Sequence, residues 1–176
     1  MNPWHDVPLG DDPVRVFACV IEIPRGSKNK YELDKKTGLL KLDRVLYSSV
    51  HYPANYGFLP QTYCDDGDPL DVLVLCQEPI TPMCIVHARP VGCIQMRDDK
   101  GKDDKIIAVP LEDPEYVHVH DVHDLGPHRI LEIRQFMLDY KRLENKEVDV
   151  EQMEGASTAQ RVIREACELY RKTFPA

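Results

Sequence analysis

The sequence lacks the glycine-rich cradles that hold nucleotide phosphates. It contains neither G-x-x-x-x-G-K-[ST] nor G-x-G-x-x-G, so P-loop and dinucleotide-binding chemistry are excluded. It also lacks a C-x-x-C pair. Its six cysteines (Cys19, Cys64, Cys76, Cys84, Cys93 and Cys167) are scattered, several of them inside apolar strands where cysteine behaves as a small hydrophobe. We read them as reduced and structural. No apolar run approaches the ~20 residues that span a bilayer, and no charged flank leads into an apolar N-terminal segment. The expectation is a soluble, cytoplasmic protein. Positive charge is in deficit, with 22 Lys and Arg against 30 Asp and Glu, a net charge of −8. Nucleic acid and anionic membranes would both repel such a surface at long range, so neither is expected as a partner.

What is present is organised around one stretch, Asp65-Asp66-Gly67-Asp68-Pro69-Leu70-Asp71, which runs straight into the apolar Val72-Leu73-Val74-Leu75-Cys76. Two carboxylates ~4 Å apart repel by roughly 4 kcal/mol at a partly buried site with an effective dielectric near 20. A cluster of this kind needs a cation. Asp66 and Asp68 lie two apart, so an extended chain points them to one side, while Gly67 and Pro69 bend the backbone between them. The alternative, a solvated acidic turn, gives no reason for the run to abut an apolar strand. An EF-hand is excluded, because counting from Asp66 puts Leu70 and Gln77 where that loop needs acidic ligands.

At 176 residues and 43% hydrophobic, the chain suits one domain, residues 1–176, with a sizeable core. The proline-rich opening, Met1 to Pro13, reads as an irregular arm. Val14 to Ile23 is a nearly all-apolar strand in which Glu22 is the odd member, placed either at an exposed end or toward a cation. Lys30 to Asp34 and Leu39 to Leu46 alternate as a hairpin, and Tyr52 to Pro60 is an aromatic loop without helical or strand period. Val72 to Cys76, Cys84 to Ile94 and Lys105 to Val109 are further strands, with a polar hairpin from Arg97 to Lys105. Helical spacing appears through Pro127 to Leu143 and again through Thr158 to Thr173, the latter capped by Ser157 or Thr158. The pattern is mainly β, a small antiparallel barrel with two helices outside. His118, His120, His123 and His128 give a His-x-His spacing that zinc or copper would accept, but carboxylate-flanked histidines before a helix start are better read as a polar connection.

All-oxygen carboxylate ligands favour Mg²⁺, Mn²⁺ or Ca²⁺ over zinc, and several such ions in one site are a common device of phosphoryl chemistry. A carboxylate left free beside them is placed to take a proton from water. Two other classes remain open on the residues alone: a non-catalytic divalent-metal-binding protein, and an OB-type binding module, which would need a basic groove with stacking aromatics.

Asp66-Gly67-Asp68-Pro69-Leu70-Asp71-Val72 resembles the D-G-D-P-x-D-V signature of soluble family I inorganic pyrophosphatases of the bacterial and plant type. The resemblance extends through Glu22-Ile23-Pro24, Lys30-Tyr31-Glu32, Asp43-Arg44, Tyr52-Pro53, Asn55-Tyr56-Gly57-Phe58, the Asp98 to Lys105 hairpin and Tyr140-Lys141. It implies an α+β, mainly β fold, an OB-like five-stranded antiparallel barrel with two flanking helices, hydrolysing pyrophosphate to two phosphates. It also implies several Mg²⁺ ions per site, with Mn²⁺ as a substitute, and a homo-oligomer, a hexamer in bacterial members. Carried over, Asp66, Asp71 and Asp103 resemble the main metal ligands, Asp98 adds to a further site, and Glu22 and Glu32 act mostly through water. Asp68 resembles the general base. Lys30, Arg44, Tyr56, Lys105, Tyr140 and Lys141 sit where the family binds substrate or product phosphate.

Overall fold

A computed structural model of the chain describes residues 1–175. In chain order it contains α1 (Pro3–Asp6), β1 (Phe17–Ile23), β2 (Asn29–Leu33), β3 (Leu40–Val45), β4 (Asn55–Phe58), β5 (Asp71–Val74), β6 (Ile85–Asp98), β7 (Gly101–Lys102), β8 (Lys105–Pro110), α2 (Pro127–Asp139), β9 (Asp149–Gly155) and α3 (Ala156–Thr173). Strands β1, β4, β5, β8 and β6 follow one another around a sheet, and β6 returns to pair with β1 through Phe17 opposite Ala88. The result is a closed ring of five strands. β2 and β3 form a separate hairpin.

The strands read as almost unbroken apolar runs because both of their faces are covered. Leu73, Leu75, Ile107 and Val109 join a cluster with Ile133, Phe136 and Met137 of α2. Their neighbours in sequence, Val72, Val74, Ile106 and Ala108, join another with Val162, Ile163 and Ala166 of α3. Side chains alternate across a strand, so a helix on each side leaves no solvated face to carry polar residues.

Four sequence expectations change. First, the ring is not wholly antiparallel: β5 and β8 run parallel, Asp71 beside Lys105 through Val74 beside Ala108. A parallel pair needs a long connection, and β6 with the polar hairpin supplies it. Second, the aromatic stretch expected to be a loop contains β4, a fully buried strand between β1 and β5. Its Gly57 hides it from strand propensity. Third, β9 was not expected, because only its pairing with β6 makes it a strand and Val150 alone of its residues is buried. Fourth, α3 begins at Ala156 without a bond from Ser157 or Thr158. The first N–H is taken instead by Oδ2 of Asp121, 2.9 Å away.

Asp121 therefore caps from a distance, and it also accepts from the His123 backbone at 3.0 Å and the His123 ring at 2.5 Å. Burial opposes its ionisation, but the Ala156 and His123 donors outweigh burial and hold its pKa below the ordinary carboxylate value. Asp121→Ala is expected to lower stability by about 1 kcal/mol, checked by urea unfolding at pH 7. A depressed folded pKa means that the contribution is complete above about pH 4 and fades as pH falls through the folded value, so the deficit should shrink in acid. A deficit that stays constant down to about pH 2 would contradict this assignment.

The proline-rich arm is more ordered than its composition suggests. Pro3–Asp6 forms one helical turn capped by Asn2, and it buries Trp4 to 5% exposure. His118, His120 and His123 of the connection between β8 and α2, and His128 in the first turn of α2, are all exposed, as a polar linker requires. None of the described helices is long and apolar enough to cross a membrane.

Candidate active site

Parallel pairing of β5 and β8 sets Asp71 and Lys105, the first residue of each strand, side by side. Lys105 is 2% exposed, so its ammonium must be satisfied by protein atoms. Its Nζ donates to Asp71 Oδ2 at 2.8 Å, to Tyr56 OH at 2.8 Å and to Asp103 Oδ1 at 3.2 Å. Burial alone would lower the Lys105 pKa. Asp71, Tyr56 and Asp103 overturn that and raise it well above the usual lysine value. Burial and the Asp71 charge push the Tyr56 phenol up as well, so it stays neutral and available as a donor.

The β2–β3 hairpin forms the facing wall. Lys30 lies opposite Arg44 in its register, and both reach Asp43: Lys30 Nζ at 3.2 Å and Arg44 Nη1 at 2.5 Å from Oδ2. Lys30 also donates to Glu32 Oε1. Arg44 is held from behind by Glu144, whose carboxylate lies 2.9 Å from Nε. At the mouth, Lys141 pairs with Asp98 at 3.3 Å and lies over the Tyr140 ring.

At two carboxylates the surroundings disfavour the ionised form. Glu22 is buried, and although the Leu33 N–H donates to it at 2.7 Å, burial together with Asp71 pushes its pKa up to about 8. Asp66 is pushed up to about 6 by burial and by the nearby Asp68, Asp71 and Asp103, against a bond from the Asp68 N–H. Burial is the main cause at both positions, with neighbouring carboxylates adding to it, and a bound cation would relieve both. The donors are all carboxylate oxygens, which is the chemistry of a hard divalent ion. Among the described residues no three His, Cys, Asp or Glu side chains meet at one point close enough to hold an ion, and the Lys105 ammonium lies between Asp71 and Asp103. The carboxylates fit a divalent metal in donor chemistry and charge, while the placement of Asp71 and Asp103 is set by their ion pairs with Lys105.

Every residue to which the family resemblance gives a role lines one cleft of about 620 Å³: the acids Glu22, Glu32, Asp66, Asp68, Asp71, Asp98 and Asp103, and the donors Lys30, Arg44, Tyr56, Lys105, Tyr140 and Lys141. The cleft also holds groups that sequence reasoning missed. Asp43 was legible only as a neighbour of Arg44. Glu144, which braces Arg44 from outside the cleft lining, left no signal, because it arrives from beyond α2. Lys35 and Trp4 join from the hairpin tip and the N-terminal arm. Cys64 stands outside, and burial pushes its thiol far above the reactive range.

Residues 19–171 match the family model for inorganic pyrophosphatase. The chain is 54% identical to soluble inorganic pyrophosphatase 2 of Chlamydomonas reinhardtii, covering 98% of this chain and 90% of the relative. It is 57% identical to a soluble inorganic pyrophosphatase of Oryza sativa subsp. japonica, covering 96% and 79% respectively. Among solved structures, the inorganic pyrophosphatase of Thermus thermophilus superposes with a TM-score of 0.93 at 41% identity, covering 97% of this chain and 99% of that one. The structural likeness persists at lower identity, with a TM-score of 0.91 at 28% to a type I inorganic pyrophosphatase from Toxoplasma gondii.

Proposed function

The chain belongs to the inorganic pyrophosphatase family, and from that premise we propose how its cleft hydrolyses pyrophosphate to two orthophosphates. The observation that carries the reading is the meeting in one cleft of a carboxylate cluster with a set of buried and half-buried phosphate-type donors. An acidic cluster alone would bind metal. Lysine, arginine and tyrosine arranged around it give a tetra-anion somewhere to lie.

The family implies a divalent metal cofactor, and we assign Mg²⁺, several ions per site, with Mn²⁺ able to replace it. Asp66, Asp71 and Asp103 would hold it, Asp98 would contribute to a further ion, and Glu22 and Glu32 would act through water. When bound, such ions supply neutralisation of phosphate oxygens and acidification of the attacking water. Lys30, Arg44, Tyr56, Lys105, Tyr140 and Lys141 grip the phosphates. Asp43 and Glu144 hold the Arg44 guanidinium in place before substrate arrives, so little side-chain freedom is lost on binding. Asp68 takes the proton from the water as its oxygen attacks phosphorus and the bridging P–O bond breaks. The whole chain, residues 1–176, acts as one domain, in the cytoplasm and as a homo-oligomer, hexameric by family resemblance.

The test is phosphate release from pyrophosphate by the purified protein with Mg²⁺ and then with EDTA, alongside ATP and a nucleoside diphosphate sugar. Rapid release from pyrophosphate alone, abolished by EDTA and restored by Mg²⁺, is the expected result. No release with any divalent ion would overturn the reading and leave a binding protein.

A further inference from the structure

The turn between β2 and β3 carries a lysine to which the roles assigned so far give no task. Lys35 Nζ donates to the carbonyl of Gly67 at 3.1 Å and to Oδ1 of Asp68. It lies over the Trp4 indole, 5.0 Å from the ring centroid. The lysine backbone is held too, since Nδ2 of Asn2 donates to its carbonyl at 3.1 Å.

The platform beneath it is itself fixed. Trp4 Nε1 donates to the Thr62 carbonyl at 2.8 Å, and the ring stacks on Tyr63. Arm and hairpin tip are in backbone contact at Gly38, whose φ is +75° and where a Cβ would lie 2.4 Å from the Met1 carbonyl oxygen. A free lysine in water samples many rotamers, at roughly 2 kcal/mol of side-chain entropy. Here the ring, two acceptors and a pinned carbonyl select one of them.

We propose that Lys35, seated on Trp4, is a positioning residue that aims the Asp68 carboxylate at the attacking water. The proposal rests on the reading of Asp68 as general base. Lys35 spans from the hairpin to the acidic loop, so it ties the two walls of the cleft together on the side where the proton is taken. The pair is about half exposed, at 44% and 52% for the two side chains. It contributes little to stability for that reason, and its effect belongs to geometry.

The experiment measures kcat and KM for pyrophosphate at saturating Mg²⁺ in Lys35→Gln, Lys35→Arg, Asp68→Asn and the Lys35→Gln/Asp68→Asn double variant, with melting curves and tryptophan emission. Lys35→Gln is expected to lower kcat roughly tenfold to a hundredfold, as a misaimed group does. KM should stay within about twofold. Lys35→Arg should recover most of the loss, and in the Asp68→Asn background Lys35→Gln should cost nothing further. Trp4 is the only tryptophan, so its emission in the folded protein should change when the cation above it is removed. Unchanged kcat in Lys35→Gln, beside a strong loss in Asp68→Asn, would overturn the proposal. A raised KM with kcat intact would do so too, making Lys35 a phosphate ligand, as would additive losses in the double variant. Full turnover in Asp68→Asn would overturn the reading of Asp68 itself, which separates that failure from a failure of Lys35 alone.

Discussion

Replacing Asp68 by asparagine is expected to lower kcat for pyrophosphate by about 10²- to 10⁴-fold, the range that a general base contributes, while the fold and the metal affinity stay close to those of the parent. The loop around Asp68 is held by backbone, not by its carboxylate. Its N–H donates to Oδ1 of Asp66 at 3.0 Å and its carbonyl accepts from the Cys64 N–H at 2.9 Å. The carboxylate itself is half exposed, and among the described residues it forms an ion pair only with the Lys35 ammonium. Asparagine keeps the shape and both backbone bonds, and it loses the charge that pairs with Lys35 and the ability to accept a proton from water.

Asp66 and Asp71 differ from it in kind. Asp71 is tied to the buried Lys105, and Asp66 sits where burial and neighbouring carboxylates raise its pKa to about 6. Asparagine at either position should weaken metal binding first and turnover as a consequence, so excess Mg²⁺ should recover part of the rate. At Asp68 it should recover none. Titration calorimetry with Mg²⁺ beside steady-state kinetics separates the two patterns. An Asp68→Asn enzyme within about threefold of parental kcat would remove Asp68 from the base role.

Asp66, Asp68 and Asp71 were legible because they are contiguous, whereas Glu32, Asp98 and Asp103 came only with the resemblance. Asp65 to Asp71 calls for a cation by itself, since so much like charge in one turn has no other use against an apolar strand. The gathering of lysines, an arginine and tyrosines in the same cleft was legible only by resemblance. Lys30, Arg44, Lys105 and Lys141 come from separate elements, and no spacing links them. The parallel register of β5 and β8 unites Asp71 with Lys105, and the sequence suggested an antiparallel sheet. Glu144 and Lys35 were invisible for the same reason, because each reaches its partner across the fold rather than along the chain. β9 left no trace, since its edge position leaves Glu151 and Gln152 in solvent without the apolar alternation of a strand.

β4 was missed for a different cause, and it yields the second large effect. Gly57→Ala is expected to destabilise the protein by more than about 4 kcal/mol, enough to prevent folding at 37 °C in a chain of ordinary stability. A Cβ at Gly57 would stand 1.9 Å from the Val20 carbonyl oxygen and 2.9 Å from the Ile21 Cα. Both obstacles are backbone atoms of β1, so no rotamer change relieves the clash. The two strands pair through Val20 opposite Phe58 and Ile21 opposite Gly57, and moving them apart would open the ring. The same residues set the site. Tyr56 sits one residue from Gly57 and its hydroxyl accepts from Lys105, while Glu22 follows Ile21 on β1. Glycine is poor strand material on propensity alone, which is why Asn55 to Phe58 resembled a loop. Its missing side chain lets β1 approach closely enough for Glu22 and Tyr56 to share one cleft. Thermal unfolding and soluble yield of Gly57→Ala check this, and a melting temperature within about 5 °C of the parent would show that the ring yields where the geometry says it cannot.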